Sequence, residues 1–111
     1  MPEDHDPRAC DAAVSLAFSI LGKRWNGMIL DVLGNGPASF VRLRRALGIS
    51  DAVLSDRLAE LGSVGLVARV VEPGPPVTVS YALTDAGRGL TPLLTELGRW
   101  ATSSLEPGGH A

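Results

Sequence analysis

The sequence contains one cysteine, one lysine and few aromatic side chains, the last making up 5% of its 111 residues. The lone cysteine, Cys10, excludes a disulfide within the chain and is typical of a reducing compartment. No run of 18 apolar residues could span a membrane, and the start of the chain is acidic, unlike a signal peptide. We therefore predict a cytoplasmic protein without a membrane partner, and the length suits one domain.

Residue types that carry catalysis or bind metals are also scarce. The two histidines, His5 and His110, lie near opposite ends of the chain. No acid pair, phosphate-binding loop or metal-ligand spacing accompanies them. We therefore expect no catalytic residue, no metal site and no cofactor, and a protein that is not an enzyme.

The most informative segment that is present runs from 37 to 66. Apolar residues recur there at helical spacing in two short runs, which are Phe40, Leu43 and Leu47, then Leu54, Leu58 and Leu61. Gly48 and Ile49 form a tight turn between the runs, and Ser50 is well placed to cap the second helix. This pattern is typical of a helix-turn-helix, although an unrelated helical hairpin would give the same signal.

A β-hairpin is predicted directly after these two helices. Residues 66–71 are rich in β-branched side chains, residues 72–76 contain three prolines and a glycine, and residues 77–83 alternate between apolar and polar. A helix-turn-helix followed by a hairpin is the order of a winged helix. In that fold the second helix enters the major groove of DNA and the hairpin approaches the adjacent backbone.

Three further helices are predicted, over 10–21, 25–33 and 84–104, the last bent at Pro92. The first and last carry more apolar surface than a monomer of this size covers. We therefore predict a homodimer interface made by Val14, Phe18, Leu94, Leu97, Trp100 and Ala101. Alternatively, the last helix folds back on its own domain.

The predicted fold class is thus mainly α with a small β-hairpin, a winged helix-turn-helix that dimerises through its N- and C-terminal helices. The domain is expected to span 10–105. Residues 1–9 are predicted to form a flexible N-terminal tail, and 106–111 a C-terminal tail.

The net charge of −2 is unevenly distributed along the chain. From Lys23 to Val71 there are seven basic and four acidic residues, whereas the remainder has three basic and eight acidic residues. A basic region within an acidic chain suits contact with phosphates. An ordinary solvated helix face carrying Arg42, Arg44 and Arg45 would have the same composition.

A set of motifs runs through nearly the whole chain in a fixed order. After Cys10 they are Leu21-Gly22-Lys23-Arg24-Trp25, Gly36-Pro37, Phe40 with Leu43-Arg44-Arg45-Ala46-Leu47, Ile49-Ser50, Leu54-Ser55 with Arg57-Leu58 and Glu60-Leu61, Gly65-Leu66-Val67, Pro75-Pro76, Tyr81 with Leu83-Thr84 and Gly87, and Leu97 with Trp100. Together they resemble the HxlR-type regulators of bacteria, winged-helix relatives of the MarR family. The resemblance implies a homodimeric, DNA-binding transcription regulator without enzymatic activity, often controlled through a cysteine thiol or a small electrophile.

Some positions depart from the pattern of that family. Asp51-Ala52 stands where relatives often have a base, Asp56 follows on the same helix, Ser39 replaces a common arginine, and Val77-Thr78 follows Pro75-Pro76 where relatives often carry a base. Anions there repel phosphate, although an aspartate can also accept a hydrogen bond from cytosine N4. These departures and the single lysine support the alternative of a winged-helix protein-interaction module with little or no DNA binding.

The predicted partner is double-stranded DNA, bound as an inverted repeat by the homodimer. The expected base-facing residues are Ser50, Ala52, Ser55 and Asp56, and the expected phosphate contacts are Arg42, Arg45, Arg57 and Arg69. Arg57 has an alternative role in an exposed ion pair with a neighbouring acid such as Asp56, and Arg44 has the same alternative.

Cys10 is the candidate regulatory thiol, for a small-molecule or oxidant effector. It is expected just before the first helix, where backbone N–H groups favour a thiolate, although Asp11 opposes one. Alternatively, Cys10 is a small apolar residue that closes the start of the helix.

Overall fold

The computed structural model describes residues 7–105, and their side chains from Asp11 onward. Within that range the chain forms α1 (Pro7–Leu21), α2 (Asn26–Leu33), α3 (Phe40–Leu47), α4 (Asp51–Ser63), β1 (Val67–Glu72), β2 (Thr78–Leu83), α5 (Asp85–Arg88) and α6 (Thr91–Ser104). The predicted fold class, mainly α with a two-stranded hairpin after a helix-turn-helix, is confirmed.

The helix-turn-helix is built from α3 and α4, each capped by a serine. The hydroxyl of Ser39 accepts a hydrogen bond from the Arg42 amide at 3.1 Å, and that of Ser50 accepts one from the Val53 amide at 3.2 Å. Gly48 ends α3 with φ of 67°, a left-handed conformation that costs glycine little. The predicted turn and the predicted cap at Ser50 are therefore confirmed.

The apolar core lies where α2, α3, α4 and the hairpin meet. Its buried members are Ile29, Leu30, Leu33, Ala38, Leu43, Ile49, Leu54, Leu58, Leu61, Val67 and Leu83. Each of the three helices presents one periodic stripe to this core, as the helical spacing predicted. Phe40 and Leu47, at the two ends of α3, are half-buried at its edge.

The hairpin pairs β1 with β2 in antiparallel register, from Val67 opposite Leu83 to Glu72 opposite Thr78. A short third pairing joins Ala38, ahead of α3, to Tyr81 through amide-to-carbonyl bonds of 3.0 and 2.8 Å. This bridge fixes the base of the hairpin to the helix-turn-helix.

The prediction of one bent helix over 84–104 is wrong, because the segment forms the separate helices α5 and α6. Thr84 caps α5, accepting a hydrogen bond from the Gly87 amide at 3.1 Å. A β-carbon at Gly87 would lie 2.2 Å from the Leu66 carbonyl oxygen, so only glycine allows this close approach. Pro92 lies in the first turn of α6, where its missing N–H costs no hydrogen bond, and not at a bend.

The first helix also differs from its predicted start. It begins at Pro7, so residues 7–9, which were assigned to the flexible tail, are helical. Proline suits the first position of a helix because its φ is already helical. The remainder of the predicted tails, residues 1–6 and 106–111, lies outside the described residues. None of the helices in the described range is long and apolar enough to cross a membrane.

Candidate DNA interface

The outer face of α4 carries the residues predicted to read bases. Ala52, Ser55 and Asp56 are all exposed, because the opposite face of α4 buries its leucines in the core. Ser50 is exposed at the start of the helix, with its hydroxyl engaged in the cap. The structure therefore brings the four predicted base-facing residues to the start and the outer face of one helix.

Two of the predicted phosphate contacts lie on α3. Arg42 and Arg45 are exposed, and neither forms an ion pair with any residue that the structure describes. Arg44, by contrast, lies 3.4 Å from the carboxylate of Asp51. The ion-pair alternative therefore holds for Arg44, while Arg42 and Arg45 keep their guanidinium groups in solvent.

Arg57 is held differently from the other predicted phosphate contacts. Its Nη1 lies 2.6 Å from the carboxylate of Asp56, and its Nε donates to the Arg24 carbonyl at 3.0 Å. Only 24% of its side chain is exposed, against 73% for Asp56. The geometry thus favours the ion-pair alternative for Arg57 over a phosphate contact, because its Nε and Nη1 already bind within the protein. The same pair offsets the negative charge of Asp56.

The last predicted phosphate contact, Arg69, lies on β1 opposite Tyr81. It is exposed at the wall of a cleft of about 300 Å³ between α4 and the hairpin. Ser55 lines the same cleft. The fold therefore places a basic side chain of the hairpin beside a predicted base-facing residue, although the two lie far apart in the sequence.

A polar cluster that the sequence analysis missed lies behind α4. Lys23 Nζ lies 2.6 Å from Glu60 Oε2, and the fully buried Asn26 donates to Glu60 Oε1 at 3.2 Å. These two hydrogen bonds, first from Lys23 and then from Asn26, hold the pKa of Glu60 below its usual range. The one signal in the sequence was an asparagine at the start of a helix that is mostly apolar.

The predicted dimer interface is an apolar surface on α1 and α6. Its exposed members and their exposed fractions are Val14 (57%), Phe18 (61%), Leu97 (54%) and Trp100 (54%). Leu94 and Ala101 are half-buried, and Leu94 packs against the core. Leu94, Leu97 and Ala101 also line an open groove of about 850 Å³ between α6 and α2. The last helix thus folds back on its domain at Leu94 and leaves most of its apolar face uncovered.

The side chain of Cys10 lies outside the described residues. Its backbone belongs to α1, which starts three residues earlier, so Cys10 does not precede the first helix. The influence of the helix dipole fades beyond the first turn, and this position weakens the argument for a thiolate from the helix start alone.

Comparison with known proteins supports the resemblance. The family model of the HxlR-like helix-turn-helix matches residues 20–108. The HTH-type transcriptional regulator YodB of Bacillus subtilis is 44% identical over 93 residues, which is 83% of each chain. The solved structure of reduced YodB has a TM-score of 0.77 and 40% identity, and covers 94% of this chain and 98% of that one. The quinone-bound form has a TM-score of 0.72 and 38% identity, over 83% of this chain and 98% of that one.

The match therefore rests on both sequence and fold, over most of both chains. The order of elements, the two serine caps and the outer face of α4 are those expected of a helix-turn-helix regulator. This chain belongs to the HxlR-like helix-turn-helix family of transcriptional regulators.

Proposed function

We propose that this protein is a cytoplasmic, homodimeric regulator, without enzymatic activity, that binds an inverted-repeat operator in double-stranded DNA. The observation that carries the proposal is one continuous surface. It combines the exposed face of α4 with the cleft to the hairpin, where Ser55 and Arg69 lie together. Arg42 and Arg45 add two guanidinium groups that remain in solvent. Such a surface suits a helix in the major groove with phosphate contacts around it.

On this surface, base recognition falls to short side chains on α4. Ser55 offers a hydroxyl that donates or accepts, and Ala52 offers a methyl group to thymine. Asp56 offers a carboxylate to cytosine N4, and its pairing with Arg57 at 2.6 Å reduces the repulsion that phosphates would exert on it. The acidic departures from the family pattern are therefore compatible with DNA binding when Arg57 serves as a partner to Asp56.

The uncovered apolar residues of α1 and α6 support a homodimer. Large apolar side chains left exposed together on a helix indicate an interaction surface. In such a dimer the two copies of α4 must meet two half-sites about one turn of DNA apart, roughly 34–36 Å, so that the operator is an inverted repeat.

Salt dependence of binding to a random-sequence duplex tests DNA binding. Arg45→Ala and Arg42→Ala should each flatten the slope of log affinity against log salt by about one unit, because each removes one phosphate contact. Arg88→Ala is the control, since Arg88 is exposed on α5 and outside the proposed surface. Arg57→Ala should change the slope less than Arg45→Ala does.

Binding that does not weaken with salt would contradict this proposal. It would favour the alternative of a protein-interaction module, which has no phosphates to neutralise. A slope unchanged by Arg45→Ala would remove that residue alone from the interface.

Control of DNA binding by a thiol at Cys10 is the second part of the proposal. Cys10 is the one cysteine of the chain, and the relative YodB has been solved with a quinone bound. A quinone would alkylate the thiolate by forming a carbon–sulfur bond, after which the ring becomes a hydroquinone. An oxidant would instead yield a mixed disulfide with a small thiol, or a bridge between the two copies of Cys10.

Titration of the DNA complex with a quinone and with diamide tests this control. We expect wild-type protein to release DNA and Cys10→Ser protein to stay bound. Equal affinity of both proteins throughout the titration would remove Cys10 from the mechanism.

A further inference from the structure

The polar cluster behind α4 joins three parts of the chain. We call Lys23, Asn26 and Glu60 the turn cluster, because the first two lie in or beside the turn between α1 and α2. Asn26 donates to the Ile20 carbonyl at 2.9 Å and to Glu60 at 3.2 Å. Lys23 reaches the other oxygen of Glu60 at 2.6 Å. The Glu60 carboxylate on α4 thus binds two residues of the turn region, Lys23 and Asn26.

A further contact from α4 strengthens the same junction. Arg57, one turn before Glu60, donates its Nε to the Arg24 carbonyl at 3.0 Å. Asn26 is fully buried, and its Oδ1 has no hydrogen-bond partner among the described residues. Because the side-chain amide of Asn26 donates to the Ile20 carbonyl and to Glu60, it links the end of α1 to α4.

The turn itself has a backbone conformation that needs support. Trp25 has φ of 83°, a left-handed value that is rare for a bulky residue. The guanidinium carbon of Arg24 lies over the Trp25 ring, 4.9 Å from the ring centroid. Such conformations persist when their surroundings determine them, and here the surroundings are the contacts to α4. The shape of the turn and the position of α4 therefore depend on each other.

The direction of α1 depends on this turn because its own packing is slight. Residues 11–19 are all exposed, and only Ile20 and Leu21, at the end of the helix, pack against the core. A groove of about 470 Å³ also separates α1 from Val64 and Leu66, at the end of α4. The helix is thus fixed at one end and uncovered along the rest.

We propose that the turn cluster sets the angle between α1 and α4 and thereby the spacing of the two copies of α4 in the dimer. Lys23, Asn26 and Glu60 are positioning residues in this scheme, since none of them needs to touch DNA. The effect on the spacing of the two copies of α4 rests on the proposed homodimer. The effect on the angle between α1 and α4 concerns one chain and does not depend on the homodimer.

Pulsed electron spin resonance measures the distance between two labels in one chain, and this distance reports the angle between α1 and α4. Nitroxide labels are placed at Ala12→Cys on α1 and Ser55→Cys on α4, both exposed sites, in a Cys10→Ser background. Labelled chains are diluted with unlabelled ones so that distances between subunits are suppressed. Because α1 carries Ala12 about 14 Å from Leu21, a rotation of roughly 10° at the turn moves the label by about 2 Å.

Glu60→Gln is the informative variant. It keeps an oxygen acceptor for Asn26, so that no buried donor is stranded, but it removes the ion pair with Lys23. We expect a shifted or broadened distance distribution with only a small loss of stability, because the Lys23 side of the pair is exposed. Lys23→Gln removes the same ion pair at the more exposed residue, since the Lys23 side chain is 52% exposed and that of Glu60 is 21% exposed. It should give the same change in distance, and it replaces Glu60→Gln as the test if that variant folds poorly.

Asp85→Asn is the matched control, because it breaks an exposed ion pair with Arg88 away from the turn. Its distance distribution should equal that of the parent. A distribution unchanged in both Glu60→Gln and Lys23→Gln would overturn the proposal.

The preference for one spacer length between two DNA half-sites provides a second measurement. A role of Glu60 in stability alone would not change this preference. Half-sites selected by the wild-type protein from a random pool are joined by spacers of different length. Glu60→Gln should lose about fivefold or more of the discrimination between the best spacer and its neighbours. Uniformly weaker binding with the spacer preference retained would overturn the role in spacing. If the wild-type protein binds all spacer lengths equally well, the inverted-repeat mode of binding is contradicted. The distance experiment would still test whether the turn cluster sets the angle between α1 and α4.

Discussion

The helices α4 and α6 make an informative pair, since they have 13 and 14 residues and both carry leucines at helical spacing. In α4 the leucines at 54, 58 and 61 are buried, whereas α6 has no buried residue. The same pattern therefore yields two different environments. Apolar periodicity determines that a helix forms and which face is apolar, but not which chain covers that face.

The difference follows from what lies opposite each helix. Helix α4 faces α2, α3 and the hairpin, whose side chains fill the shared core. Helix α6 faces α2 across an open groove of about 850 Å³, and only Leu94 reaches the core. Three tests bear on this comparison.

The largest expected effect is on the stability of the core. Leu61→Ala should lower the free energy of unfolding by about 2–5 kcal/mol, because it removes a fully buried side chain and leaves a cavity. Leu93→Ala on α6 is the matched control. Leu93 is 63% exposed, so its loss should cost at most about 0.5 kcal/mol. Urea denaturation at low protein concentration measures both, and equal losses would show that α6 is as well packed as α4.

The next effect is on the oligomeric state. Replacing Leu97 and Trp100 together by serine should yield a monomer that binds DNA poorly, since large apolar side chains carry most of the energy of an interface. Sedimentation velocity measures the change. The control replaces Val71 and Val77, exposed apolar residues of the hairpin segment, by serine and should leave a dimer. A dimer that survives the α6 changes would place its interface elsewhere.

The smallest effect concerns the polar contacts of α4 at low pH. The pKa of Glu60 is lowered from its ordinary value of 4.5 by Lys23 and Asn26, so its contribution to stability is present above that value and is lost as pH falls through the lowered pKa. The stability difference between wild type and Glu60→Gln should therefore shrink on going from pH 6 to pH 3, as urea denaturation would show.

Glu96→Gln provides the comparison on α6, where it breaks an exposed ion pair with Arg99. Exposed pairs contribute little, so this variant should resemble wild type at both pH values. A pH-independent difference for Glu60→Gln would mean that the Lys23 contact does not stabilise the carboxylate.

Features set by neighbours in the chain were predicted correctly from sequence. The cap at Ser50, the glycine turn at Gly48 and the hairpin each depend on a few adjacent residues. The break between α5 and α6 was missed because the helix start at Thr84 was joined to the leucine pattern that begins at Leu90, and the intervening Gly87 and Gly89 are weak stop signals.

Features set by distant residues were not predictable in the same way. Lys23 and Glu60 are 37 residues apart, and the Arg57 side chain binds a carbonyl 33 residues before it. The neighbouring Asp56 allowed an ion pair to be foreseen for Arg57. The bond from its Nε to the Arg24 carbonyl, however, depends on the three-dimensional arrangement alone.

The bridge between Ala38 and Tyr81 has a consequence for how this fold can vary. It anchors the base of the hairpin, while residues 71–78, at the tip, are all exposed. Insertions or deletions at the tip would leave the core and the anchored base intact, because exposed loop tips accept changes in length. The length of the hairpin can therefore diverge among relatives, or be altered by design, independently of the proposed recognition helix α4.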